Sequence, residues 1–151
     1  MTPKAQIEAE LVGRMRVLME VAGISVLTSD NPDLVGPIGR AIRTLGGTQA
    51  TLGKLTQADL DTLPADTLEA LLDVSQLHTL EAIQAAFTSD SHIKELDYEE
   101  RSGERVAAIG KLIDALRARI ATLYGLGVKR TFKAGVVDLN ISARRCRTEF
   151  A

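Results

Sequence analysis

Between Val106 and Leu123, the apolar residues Val106, Ile109, Ile113, Leu116, Ile120 and Leu123 recur at spacings of 3, 4, 3, 4 and 3. A helix turns once in 3.6 residues, so this spacing lines six aliphatic side chains along one edge of a helix. A strand cannot use the pattern, because its side chains change face at every residue. The spacing predicts a helix from about residue 102 to 124, closed by Gly125 and Gly127. So narrow a stripe needs something to pack against. Two readings are open: the seam of a helix hairpin within the chain, or an oligomer seam against another subunit. Just under three heptads are short for an autonomous coiled coil.

The preceding residues carry further helical signals. Ile7, Leu11, Met15, Leu18 and Ala22 share a face, with Met19 beside them, and predict a helix over 3–22 that Thr2 caps, Pro3 opens and Gly23 ends. A loop follows, with a short extended piece at 24–28. Leu34, Ile38, Ile42 and Leu45 mark a second helix starting near residue 32 or 33, or at Pro37 if the Gly36–Pro37 pair interrupts it. Thr56 and Asp59 form a capping-box pair. Pro64 opens a helix to Phe87 whose apolar positions, from Leu68 through Leu72, Val74 and Leu77 to Ile83, cover more than one stripe. Such a helix packs on two sides or sits centrally in a bundle. Residues 88–101 are polar and mostly acidic and read as a connecting loop. The expectation is an all-α protein: a bundle of about four helices over 1–126, followed by an extended arm over 127–151. Only 3% of residues are aromatic, so the core has to be aliphatic.

The arm has a different character. Residues 1–127 carry 12 Lys and Arg against 18 Asp and Glu, whereas 128–151 carry six basic residues against two acidic ones. A net −6 body therefore precedes a net +4 arm. Within the arm Val137, Leu139 and Ile141 alternate with Asp138, Asn140 and Ser142, the pattern of a half-buried strand. Residues 129–134 offer only a short hairpin partner, and a lone strand leaves its backbone groups unpaired. The arm is thus expected to add to another subunit or protein, with Lys129, Arg130, Phe132 and Lys133 in its first cluster and Arg144, Arg145 and Arg147 in its second. A nucleic-acid partner for the same basic residues is the alternative, although the acidic body opposes it. A small dimeric scaffolding or regulatory protein that uses the 106–123 seam is another.

No catalytic pattern is visible. His78 and His92 have no metal-ligand spacing, and the acidic stretch lacks the order of a calcium loop. Cys146 is the single cysteine, which points to a reducing compartment, and no histidine stands near it in sequence to activate it. Gly36 and Gly39 with Arg40 and Arg43 weakly suggest a phosphate-binding helix hairpin, but the glycine spacing differs from that motif. No export signal is recognisable, and no apolar run approaches the roughly 20 residues that span a bilayer. Neither an enzyme nor a cofactor is expected.

A helical bundle followed by a basic extended arm resembles the head-to-tail adaptor (connector) proteins of tailed bacteriophages. The stretch LTQADLDTLPADTLEALLDVSQLHTLEAI is similar to small helical proteins of phage structural modules. The resemblance implies a virion protein of the neck, assembled in the host cytoplasm. It implies a homo-oligomeric ring, typically dodecameric, beneath the portal protein. The ring's lower face would meet the next tail component, with at most passive contact with DNA and no membrane. The arm would dock on the portal, with Val137, Leu139 and Ile141 against an apolar surface and the arginines against acids. The family has no catalytic residues to carry over, and the acidic stretch at 88–101 matches no family feature.

Overall fold

A computed structural model describes residues 2–90 and 96–126, with side chains described over 2–88 and 103–126. The described residues form α1 (Lys4–Val21), α2 (Val35–Thr44), α3 (Gln57–Asp61), α4 (Leu68–Asp90, entered through a 3₁₀ turn at Ala65–Thr67) and α5 (Leu96–Tyr124). No strand occurs among them, apart from an isolated bridge between Thr51 and Lys54. The described residues are all-α, as the aliphatic periodicity predicts. The arm and its strand-like 137–141 segment lie outside the described residues.

The broad apolar surface of α4 has the expected consequence, because α4 packs against α1, α2 and α5. Its Leu71, Leu72, Val74, Leu80 and Ile83 are buried, while Leu68 and Phe87 pack at the margin. Facing them are Ile7, Leu11, Met15 and Met19 of α1, Leu34, Ile38 and Ile42 around α2, and Ile109, Ile113 and Ile120 of α5. One continuous aliphatic core results, and helix packing around a single central rod explains why so few aromatic residues suffice.

The helix ends show where local chemistry departs from expectation. Pro3 is the N-cap of α1 and Thr2 does not cap it. The first helical N–H, that of Lys4, donates instead to Gln57 Oε1 at 2.8 Å, so α3 caps α1 from a distance. Gly23 ends α1 with φ of 70°, and its N–H and that of Ile24 donate to the Glu20 and Met19 carbonyls, a Schellman ending that Gly46 repeats after α2. Pro37 lies inside the first turn of α2, where its missing N–H has no intrahelical acceptor to lose, so the helix starts at Val35. The Thr56–Asp59 capping box is present in full.

One further sequence expectation needs correction. Residues 88–101 are not one loop: α4 runs on to Asp90 and α5 begins at Leu96. The segment 96–101 lacks apolar periodicity but consists of helix-compatible residues, and an established helix extends through such residues at little cost. In the loop after α1, Ile24 and Val26 pack against the core.

Candidate functional site

All ten arm positions expected to bind a partner, from Lys129 to Arg147, lie outside the described residues, as do Cys146 and His92. The other expected site, the α5 stripe, is fully described. Ile109, Ile113 and Ile120 are buried within the chain, and Leu116 packs against the same core. Val106 is partly buried, and its carbonyl accepts from Gln84 Nε2 of α4 at 3.5 Å. Within the subunit these residues pack in the hairpin with α4. Leu123 leaves the stripe altogether, with 59% of its surface exposed. A straight helix drifts by about 20° per heptad against a 3.5-residue repeat. By the last turn Tyr124, four residues after Ile120, has taken the core-facing place.

Tyr124 belongs to a polar cluster that sequence reading missed. Its hydroxyl donates to Asp73 Oδ2 at 3.1 Å, and Arg119 Nη2 stands 3.2 Å from the same oxygen. Arg14 of α1 reaches Asp73 Oδ1 at 3.4 Å, and its other nitrogens meet Glu10 at 3.1 Å and Glu69 at 3.5 Å. The Asp73 side chain is 1% exposed, so its charge is held by two guanidiniums and a phenol that come from both flanking helices. Burial raises the Tyr124 pKa above its ordinary value, and the bond to Asp73 adds to the effect. The only sequence signal was an acid inside the apolar run LLDV of α4.

Beside the last turns of α5 runs a groove of about 530 Å³, bounded by Thr44 at the end of α2, by α4 and by α5. Its surface is mostly apolar, formed by Val74, Leu77, Ile120, Ala121 and Leu126. His78 and Arg117 stand at its edge, joined through Glu81: His78 Nδ1 lies 3.1 Å from Oε2 and Arg117 Nη2 lies 2.7 Å from Oε1. Burial pushes the Glu81 carboxyl up, but the bonds from Arg117 and His78 outweigh it and hold the carboxyl below its ordinary value. His78 Nε2 is buried and has no hydrogen-bond partner among the described residues. A second groove lies between α1 and α5, with Leu18, Leu80, Leu112 and Leu116 in its lining and Arg14 and Arg119 beside them.

The remaining features have structural explanations. A Cβ on Gly39 would collide with the Gln49 side-chain amide, so this glycine serves close packing, while Arg43 Nη1 donates to Gln49 Oε1 at 2.6 Å. The 25–33 loop is tied to α1 through the Asp30 N–H on Glu8 Oε2 at 2.7 Å. Inside the loop, buried Asn31 donates to the Ser25 and Leu27 carbonyls at 2.7 and 3.0 Å. Among the described residues no group of three His, Cys, Asp or Glu could hold a metal ion, and no helix is long and apolar enough to cross a membrane. No protein-family model, curated protein or solved structure matches the chain.

Proposed function

We propose that the protein is a structural interaction protein, a head-to-tail adaptor of a tailed phage that forms a ring under the portal and docks there through its C-terminal arm. One observation carries this reading. The helical body is cross-braced by the Asp73 cluster, and the 25 residues that follow Leu126 in the sequence carry opposite net charge and include an alternating apolar stretch. A braced body suits a wedge in a ring, and a segment with strand-like alternation suits addition to a partner's edge. Exposed aliphatic side chains on two different helices, Val17 and Val21 on α1 and Leu112 and Leu123 on α5, provide area for the unlike faces that a ring contact joins. Arm contacts that are weak singly become strong when a ring repeats them.

The test is capture from lysates of infected or lysogenic cells, with the retained protein identified by mass spectrometry. The full chain is compared with Leu139→Asp and with Arg144→Glu/Arg145→Glu/Arg147→Glu at low and high salt. The expected result is a portal oligomer held by the full chain at both salts and lost with Leu139→Asp. Retention of nucleic acid alone, released by salt, would overturn the reading in favour of phosphate binding by the arm.

A further inference from the structure

We propose that Leu52 is a knob that enters a groove between α1 and α4 on a second copy of this chain, with Lys54 beside it against Glu10 and Glu69. The inference rests on the ring proposed above, and it names the contact that joins one subunit to the next.

Leu52 is the most exposed large apolar side chain among the described residues, at 78%, and the fold holds it there. It takes the second position of a tight turn that the Lys54 N–H closes on the Thr51 carbonyl at 3.3 Å. Gly53, with φ of 85°, fills the third position, where a type II turn needs the left-handed region. Side chains brace the turn from behind. Gln49 Nε2 donates to the Lys54 carbonyl at 3.1 Å, Arg43 holds Gln49 Oε1 at 2.6 Å, and Asp59 Oδ1 accepts the Ala50 N–H at 2.8 Å. A single exposed leucine is ordinary on a surface. One at the tip of a braced turn loses little freedom when a partner covers it, which favours binding.

A groove of about 260 Å³ lies where the first half of α1 meets the start of α4. Ile7, Leu68 and Leu72 give it apolar wall, and Glu10 and Glu69 stand in its lining with side chains 54% and 67% exposed. Both acids belong to the cluster around Asp73. There two guanidiniums, Arg14 and Arg119, meet three carboxylates, so one negative charge is left over. Glu10 and Glu69 are the exposed members that carry it, so the groove favours an apolar group with a cation next to it. At its volume it takes one or two side chains, not a helix about 10–12 Å across.

The Leu52 turn carries both groups. Lys54 is exposed two residues from Leu52, and among the described residues its side chain has no carboxylate partner. The exposure of Leu52 also shows that its own chain does not cover it. Knob and groove are different patches, so each copy offers one of each, and a contact made once repeats from subunit to subunit. Such a head-to-tail contact closes into a ring where the rotation allows. One knob covers far less than the roughly 1,200 Å² at which standard interfaces begin, so two copies associate weakly and the closed ring is held by repetition.

Sedimentation of the full chain from micromolar to millimolar concentration reads the contact, with helical circular dichroism as the check on folding. The wild type should gain average mass with concentration. Leu52→Asp and Lys54→Glu should each weaken that association by about tenfold or more at unchanged circular dichroism. Both side chains are exposed, and the bonds of the turn come from the backbone of these residues. Glu69→Lys should weaken association alike. An equal mixture of Lys54→Glu and Glu69→Lys chains should associate again, because each reversed group then meets an opposite charge. A wild type that stays monomeric throughout overturns the contact. Association that Leu52→Asp leaves unchanged also overturns it and assigns self-association to another face, as does a mixture no better than its parts. If the contact fails while portal capture depends on Leu139, the knob is wrong and the docking reading stands. If the charge-reversed mixture associates while Leu139→Asp leaves portal capture intact, the knob stands and the docking reading falls.

Discussion

The Tyr124 hydroxyl donates to Asp73 Oδ2 at 3.1 Å, linking the last turn of α5 to the second turn of α4. Arg14 brings α1 to the other oxygen of the same carboxylate. One buried acid therefore joins three helices, and its removal should be felt at all of them. Asp73→Ala leaves two guanidiniums without their shared partner. Both remain partly exposed, which limits the loss to about 2 kcal/mol, below the range for a fully buried pair. Tyr124→Phe removes one hydrogen bond while Asp73 keeps both arginines, and should lose about 1 kcal/mol. Urea unfolding should show both as shifts of midpoint at constant slope. Equal stability of Asp73→Ala and the wild type would remove the cluster from the account.

Asp59 gives a signed dependence on pH. The Ala50 N–H donates to it at 2.8 Å, and the Thr56 N–H and hydroxyl at 2.8 and 2.7 Å, so the folded state holds its carboxyl below the ordinary value of 3.8. The stability it confers is present in full above the unfolded value and is lost as pH falls through the folded one. Unfolding midpoints of the wild type should drop through that acid window. Those of Asp59→Asn should start lower and drop less steeply. Parallel curves for the two proteins would show that Asp59 is not the source.

The α5 stripe can be divided by mutation. Ile113 is 2% exposed and packs in the hairpin, so Ile113→Ala should lose about 3 kcal/mol. Leu123 is 59% exposed, so Leu123→Ala should stay within about 0.5 kcal/mol of the wild type. A role of Ile113 in an oligomer seam would instead make Ile113→Ala dissociate the assembly with little effect on the folded subunit. Sedimentation run alongside the unfolding curves distinguishes the two.

Much of the fold was legible because local signals and tertiary packing agree. The four-residue spacings of Ile7, Leu11 and Met15 and the breadth of the α4 surface foretold which faces meet, and Thr56 with Asp59 marked a helix start unaided. Other features were invisible for physical reasons. Arg14 and Asp73 are 59 residues apart and Tyr124 and Asp73 are 51 apart, so only the packed helices bring them together. Gln57 caps α1 across 53 residues, which no local pattern encodes. The start of α5 at Leu96 has no apolar period to reveal it, because a helix beyond the core needs none. The groove at Leu126 arises only where α2, α4 and α5 converge.

The most direct measurement of the central claim is native mass spectrometry of the full chain mixed with purified portal rings of a tailed phage, at low and at high salt. The account predicts a discrete complex of one portal ring with a full ring of chains, retained at high salt and absent for Leu139→Asp. Free portal rings beside unbound chains at both salts would contradict it.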